Sequence, residues 1–188
     1  MTPLQQIAVG LLLVVLDSTT AYDTLPDPVG WVLVLLAVAL LPERRRGAPL
    51  AVGAVAAVAA TATYLPAARA AVADADASLE WAFLLVPDLA FAWVLCRALA
   101  ATAGDAGDLR SAAWLRITGT VLLILALAPV PFLATDRAVP GDLGFVLQLT
   151  WLLVVVLLFA YHRRPWAPPR RGRAVQMPGS GPEAPASS

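Results

Sequence analysis

Asp88 is the residue of this sequence best placed to do chemistry, because it interrupts a long apolar segment. Uncharged runs flank it on both sides, from Trp81 to Pro87 and from Leu89 to Cys96. A carboxylate inside a membrane span costs about 2.5–3.5 kcal/mol, so it must face other helices or water. Pro87 has no N–H and leaves the carbonyl oxygen of Phe83 without its helical donor. The two residues therefore predict a candidate intramembrane polar site.

Two interpretations of this site are open. As a functional group, Asp88 would respond to protons or bind a cation. As a structural group, it would be neutral or would form a hydrogen bond to a neighbouring helix, where Thr61, Thr63 and Thr118 are available. We favour the structural interpretation, because buried polar groups in proteins are generally satisfied by hydrogen bonds to their neighbours.

The other reactive side chains do not form a catalytic or metal-binding set. Cys96 is the only cysteine and His162 the only histidine, which excludes an internal disulfide and a cluster of soft metal ligands. The sequence contains neither H-E-x-x-H nor G-x-x-x-x-G-K-[ST]. Asp17, Asp23 and Asp27 could bind a hard cation together, but helix caps and solvated groups are the commoner use of such residues. We therefore predict no enzymatic activity, no metal and no cofactor.

The composition indicates a membrane protein. Of the 188 residues 60% are hydrophobic and 14% are charged, and the mean hydropathy is +0.76. A soluble domain has about 25% charged residues. The charges are also clustered, which leaves apolar runs long enough to cross roughly 30 Å of hydrocarbon. Every basic residue is an arginine, and alanine and proline are abundant, which favours a GC-rich bacterial origin.

These runs predict an all-α fold, a bundle of six transmembrane helices with both termini in the cytoplasm. The predicted spans cover residues 4–22, 28–41, 48–66, 79–101, 112–134 and 143–161, with a polar external loop at 67–78. In this orientation only Arg69 and Arg137 among the 13 arginines lie outside, as the positive-inside rule favours. Two alternatives are a cleaved signal peptide in place of the first span and a re-entrant hairpin formed by the first two.

The third predicted span consists almost entirely of small residues. Gly53, Ala57 and Thr61 recur every four residues, as do Ala56 and Ala60. A stripe of small residues lets helix backbones approach closely in a membrane. We therefore expect the third span at the centre of the bundle.

The polar turn between the first two spans carries the densest set of helix signals. Asp27 can cap the first free N–H groups of the second span, and Pro28 suits the position after it. The turn and capping residues are Asp23, Pro26, Asp27, Pro28, Gly30 and Trp31. Elsewhere, similar local signals predict a kink at Pro129 and a helix cap at Asp108 or Ser111.

The run from Asp23 to Trp31 resembles a D-x-L-P-D-x-x-G-[WY] segment that follows the first span in a family of small, uncharacterised multi-pass membrane proteins of bacteria. The resemblance covers the first quarter of the chain and implies a membrane fold without a known activity. In length and number of spans the chain is also similar to the substrate-binding subunits of vitamin importers. Their Ala-x-x-x-Ala docking pattern is absent from the first span here.

Residues 163–188 are rich in Pro, Gly, Ser and Arg and are predicted to form a disordered cytoplasmic tail. The arginines expected to contact anionic lipid headgroups are Arg163, Arg164, Arg170, Arg171 and Arg173. Aromatic residues do not alternate with these arginines, so we predict no nucleic-acid partner. The predicted partners are the lipid bilayer and either another membrane protein or a second copy of the chain.

Together these features predict an integral protein of the bacterial inner membrane with a structural or assembly role. The alternative is a transporter of a small solute or ion, or the substrate-binding subunit of an importer. Such a protein would use Asp88 and the proline-broken fourth and fifth helices, since interrupted helices build many transport sites.

Overall fold

The computed structural model describes residues 1–16, 27–75, 77–135 and 142–167, which form helices and turns and contain no β-strand. The all-α prediction is confirmed. The helices are α1 (Pro3–Leu16), α2 (Asp27–Val38), α3 (Glu43–Thr63), α4 (Pro66–Ala75), α5 (Ala77–Glu80), α6 (Val86–Asp105), α7 (Leu109–Leu127), α8 (Val130–Leu133) and α9 (Asp142–Tyr161). A π-helical turn at Trp81–Leu85 joins α5 to α6.

Six apolar helices pack side by side in the order in which they occur along the chain. The sequence of contacts runs α1, α2, α3, α6, α7 and α9, and α9 returns to pack against α1. The helices therefore form a closed ring. Consecutive elements of a chain are usually adjacent in space, and the short turns between α2 and α3 and between α6 and α7 bring these two pairs of helices together.

Four segments are long and apolar enough to cross a membrane. They are α3, the π-helical turn with α6 (Trp81–Asp105), α7 with α8 (Leu109–Leu133), and α9. The segments of α1 and α2 are apolar but shorter, at Pro3–Val15 and Pro28–Val38. Four of the six predicted spans thus have a helix of sufficient length, and membrane crossing by all six stays a prediction.

Two segments differ from the sequence-based prediction. Helix α3 begins at Glu43, so that Arg44, Arg45 and Arg46 lie in its first turns and not in a loop before residue 48. An acidic residue at a helix N-terminus is favourable, which supports a start at Glu43. The predicted external loop contains helix α4, because its alanine-rich sequence is strongly helix-forming and Pro66 suits a first helical position.

The small-residue helix is not the centre of the bundle. Only 17% of the span in α3 is buried, compared with 35% for the span that contains α6. Gly53 and Ala56 of α3 face inward, but Thr61 is exposed. Alanines lie on several faces of α3, so small residues by themselves do not select one face for burial. The most buried spans are those containing α6 and α7, at 35% and 33%, and α6 contributes Leu89, Phe91, Leu95 and Leu99 to the core.

Local signals predicted several helix ends correctly. Helix α2 begins at Asp27, and α9 covers almost the predicted segment. Asp108 is the N-cap of α7 and accepts a hydrogen bond from the backbone N–H of Ser111 at 3.1 Å. Helix α7 ends at Leu127 and α8 begins at Val130, so the predicted break at Pro129 is confirmed.

Helices α1 and α2 make backbone contact at two glycines. A Cβ atom at Gly10 would lie 2.7 Å from the carbonyl oxygen of Gly30, and a Cβ atom at Gly30 would lie 2.8 Å from the carbonyl oxygen of Gly10. Both distances are too short for any side chain, and a backbone oxygen cannot move aside as a flexible side chain can. The α1–α2 crossing therefore requires glycine at both positions.

We expect Gly30→Ala to destabilise the folded chain by about 1–3 kcal/mol, since it overpacks this crossing. Thermal unfolding in detergent measures the effect. Gly47→Ala is the matched control, because nothing lies within 4 Å of a Cβ atom at Gly47 and alanine is the better helix former. Equal melting temperatures for Gly30→Ala and Gly47→Ala would contradict the proposed backbone contact.

Candidate functional site

Asp88 and Pro87 lie in the first turn of α6, directly after the π-helical turn. Residues 77–105 are helical without a break, and Pro87 lies where the π-helical turn passes into the α-helix. Proline has no N–H to donate to the preceding turn, and such irregular turns are common places for it within a helix. Asp88 is half-buried beside this irregularity.

None of the three predicted threonine partners bonds to Asp88. The hydroxyl of Thr61 donates to the carbonyl oxygen of Ala57 at 2.7 Å, and that of Thr63 donates to the carbonyl oxygen of Ala59 at 2.9 Å. The hydroxyl of Thr118 is buried, and no hydrogen-bond partner for it is found among the described residues. Thr61 and Thr63 bond to their own helix, because hydroxyls on helices readily bond to the preceding turn. Which of its two interpretations holds for Asp88 stays a prediction.

An aromatic pair fills the bundle one turn beyond Asp88. Phe91 follows Asp88 by three residues, which places both on one face of α6. Trp31 of α2 packs edge-on against Phe91, with ring centroids 5.0 Å apart and an angle of 78° between the planes. Both side chains are fully buried, and the indole N–H of Trp31 has no partner in the described part of the chain. The interior beyond Asp88 is therefore occupied by rings.

The described residues of the predicted turn between the first two spans belong to helix α2, where they contribute to helix packing. Gly30 makes the α1–α2 crossing, and Trp31 contributes to the core. Pro28 is the second residue of α2 and Asp27 the first. Asp23 and Pro26 lie outside the described residues, as does the predicted cation cluster's Asp17.

The end of the bundle formed by the α2–α3 turn, the α6–α7 turn and residues 162–167 is called here the arginine end. Arg45 of α3 forms an ion pair with Asp105 of α6 at 2.9 Å. Arg46 donates to the carbonyl oxygen of Ala39, beyond the end of α2, at 3.1 Å and pairs with Glu43 at 3.0 Å. These contacts join α2, α3 and α6 at one end.

Asp108 is a second junction at the arginine end, and sequence analysis assigned it only a capping role. Its carboxylate also accepts hydrogen bonds from the Ser111 hydroxyl at 2.7 Å and the Trp166 indole N–H at 3.0 Å. Arg164 lies 3.7 Å away. The buried Trp166 packs against Tyr161 with ring centroids 5.8 Å apart. These contacts fix the segment after α9 to the α6–α7 turn. Trp166, a large apolar residue within a proline-rich segment, is the sequence feature that could have predicted this contact.

Two of the predicted lipid-contacting arginines are described. Arg163 is exposed and donates from its Nε atom to His162, whereas Arg164 is half-exposed beside Asp108. Arg170, Arg171 and Arg173 lie outside the described residues. One of the predicted headgroup arginines is therefore engaged with the bundle.

One small cavity lies among the described residues, and these residues provide no set of metal ligands. A cavity at the arginine end, lined by Leu41, Pro42, Arg45, Ala98, Leu99, Thr102 and Trp166, has a volume of about 10 Å³. Such a volume holds a single water molecule at most. No group of three or more His, Cys, Asp or Glu side chains is present in the part of the chain that is described.

Comparison with known proteins identifies no relative: the chain matches no family model, no curated protein and no solved structure. The resemblance of residues 23–31 to a family of bacterial membrane proteins stays a prediction.

Asp88 variants separate its two interpretations. We expect Asp88→Asn to be nearly silent, because asparagine retains the size and most of the hydrogen bonding, and Asp88→Leu to cost about 1–3 kcal/mol, because it leaves the group that interacts with Asp88 unpaired. Thermal unfolding in detergent and expression level are the measurements. Asp74→Leu, at an exposed position near the end of α4, is the control and should leave the melting temperature nearly unchanged. A fully stable and abundant Asp88→Leu protein would contradict the structural interpretation.

Stability should depend on pH through Asp108. Hydrogen bonds from the Ser111 side chain, from Trp166 and from the Ser111 backbone lower the pKa of Asp108 to about 2, from an ordinary value of about 3.9. Because the folded state binds this proton less readily than the unfolded chain, the stabilisation is complete above about pH 5 and is lost as the pH falls to about 2.

The measurement is the melting temperature of wild type and Asp108→Asn between these pH values. We expect the difference between them to be largest near neutral pH and to vanish at the acid end of the range. Asp105→Asn is the control, since Asp105 forms an exposed ion pair at the same end, and such pairs contribute little. A constant difference across the range would show that the carboxylate charge of Asp108 does not stabilise the fold.

Proposed function

We propose that this chain is an integral protein of the bacterial inner membrane that crosses the membrane six times, has both termini in the cytoplasm and acts as a non-enzymatic assembly protein. Four helices of sufficient length and two shorter apolar helices support the number of spans. The clustering of arginines at one end of the bundle supports the orientation, because arginine beside a span favours the cytoplasmic side.

The packed interior favours an assembly role over a path for a solute. The rings of Trp31 and Phe91 meet across the bundle, and Leu89 and Leu95 of α6 are fully buried beside them. A solute crossing the centre of the bundle would have to displace these packed side chains, which form part of the buried core.

The outward face of α3 is the observation that carries the proposal. Ala51, Val55, Val58 and Ala62 are all exposed and follow the spacing i, i+4, i+7 and i+11. Residues with this spacing form the contact line, or seam, between two helices that pack side by side. Small residues along this line allow the two backbones to approach closely. We identify the occupant as a second copy of the chain, because one seam can serve both partners of a two-fold symmetric contact.

A transport function is the second candidate. It is favoured by two helix interruptions, the π-helical turn before α6 and the break at Pro129 between α7 and α8. Interrupted helices often build transport sites, and Asp88 lies beside the first interruption. In this case the Trp31–Phe91 pair would have to separate to open a path.

Cysteine cross-linking in native membranes tests self-assembly through α3. Cys96 is buried, so an introduced surface cysteine is the reactive thiol. We expect Val55→Cys to give a disulfide-linked dimer on mild oxidation, because a residue on a two-fold seam meets its own copy. Val156→Cys, equally exposed on α9, is the matched control and should stay monomeric. A monomeric Val55→Cys protein, or equal cross-linking of both variants, would contradict the assembly role.

A further inference from the structure

The segment after α9 enters the arginine end through a single side chain. Residues 162–167 form turns, in which the N–H of Arg164 donates to the carbonyl oxygen of Tyr161 at 3.0 Å and the N–H of Ala167 donates to that of Arg164 at 2.9 Å. Of these six residues only Trp166 is buried. The segment is therefore attached to the bundle mainly by the indole of Trp166.

The indole of Trp166 lies in a site that we call the indole socket. The ring of Tyr161 packs against the indole, and the Asp108 carboxylate accepts a hydrogen bond from the indole N–H at 3.0 Å. The space left beside the indole has a volume of about 10 Å³, so Trp166 fills the socket almost completely. The residues that form the socket are Leu41, Arg45, Leu99, Thr102, Asp108 and Tyr161.

Contacts that do not include Trp166 hold the walls of the socket in place. Arg45 of α3 pairs with Asp105 of α6 at 2.9 Å, which connects the walls contributed by these two helices. Asp108 accepts hydrogen bonds from the backbone N–H of Ser111 at 3.1 Å and from its hydroxyl at 2.7 Å, which fix the direction of the carboxylate. The positions of these walls therefore do not depend on Trp166.

The polar groups of the socket select a ring that carries an N–H donor. Asp108 is ionised at neutral pH, because hydrogen bonds from Ser111 and Trp166 lower its pKa to about 2. An ionised carboxylate only accepts hydrogen bonds, and an indole nitrogen only donates them. Arg164 lies 3.7 Å from this carboxylate and balances its charge, so the ring itself can be neutral. Indole is the simplest molecule with this chemistry.

We propose that Trp166 is a removable plug, and that the indole socket binds a neutral aromatic ring with an N–H donor when that plug is withdrawn. In the closed state the chain occupies its own binding site. Opening the site requires the release of one buried side chain, since the other residues of 162–167 are partly or fully exposed.

Chemical rescue by indole tests the socket. The melting temperature of the full chain in detergent is measured at pH 7 with increasing indole. Trp166→Ala empties the socket, so we expect indole to bind there and to raise the melting temperature to a saturating value. Wild type should need much higher concentrations, because its own Trp166 competes. Trp114→Ala, which removes an exposed indole of α7, is the matched control and should behave as wild type.

Benzofuran tests the requirement for an N–H donor, because it has the shape of indole and an oxygen in place of the N–H. We expect it to bind Trp166→Ala about tenfold more weakly than indole does, since a hydrogen bond to a charged group is lost. Equal affinities would overturn this requirement. Equal indole responses of wild type, Trp166→Ala and Trp114→Ala, or a folded Trp166→Ala protein without a response, would overturn the socket.

If Trp166→Ala does not accumulate, Trp166→Phe decides the question. Phenylalanine retains a ring but has no N–H, so Asp108→Asn should lower the melting temperature less in Trp166→Phe than in wild type. Equal effects in the two backgrounds would overturn the socket.

Thiol labelling tests whether the plug is removable. Ala167→Cys places a thiol next to Trp166, and the natural Cys96 is buried. We expect indole to accelerate the reaction of Ala167→Cys with a maleimide, because displacement of Trp166 releases the segment. Ala106→Cys, at an exposed position of the α6–α7 turn, is the control and should react at a constant rate. An unchanged rate for Ala167→Cys, at indole concentrations that shift the melting temperature of wild type, would show that Trp166 is a fixed part of the fold.

Discussion

The backbone contact of α1 with α2 is the constraint on which the rest of the bundle depends. The glycines at positions 10 and 30 bring the two shortest apolar helices of the ring together, and α1 and α2 then connect α9 to α3. Trp31 directly follows Gly30, so the crossing also fixes where its indole enters the interior. The indole of Trp31 and the aromatic ring of Phe91 then pack in a T-shaped arrangement at the centre of the helix bundle. A methyl group at one glycine would therefore disturb packing well beyond the crossing.

The arginine end shows how a cluster of like charges becomes part of a fold. Arg45 and Arg46 interact with a carboxylate of α6 and with the carbonyl oxygen of Ala39 just beyond α2, and Asp108 joins the segment after α9 to the α6–α7 turn. Individually, such exposed pairs contribute little. Their main contribution is to hold the ends of neighbouring helices in fixed positions relative to one another.

Local chemistry decided which features could be predicted from the sequence. The start of α2 at Asp27, the cap at Asp108 and the break at Pro129 each depend on residues within one helical turn, and all three were predicted. The packing of Phe91 of α6 against Trp31 of α2 could not be predicted, because these residues are 60 positions apart in the chain. The same reason applies to Trp166, which bonds to Asp108 58 residues away. Two of the threonines suggested as partners of Asp88, Thr61 and Thr63, bond to their own helix, which their spacing in the sequence does not predict.

Both interruptions of the described helices lie at the same end of the bundle, so the two ends of the bundle should differ in how easily they deform. The π-helical turn before α6 and the break between α7 and α8 both lie at the end opposite the arginines, where α6 starts and α7 stops. The arginine end, in contrast, is cross-connected by ion pairs and by Trp166. Helices of membrane proteins respond to a thinner or thicker bilayer by tilting or bending. In the membrane proposed for this chain, such a deformation would be absorbed at the interrupted end, while the cross-connected end would keep its shape.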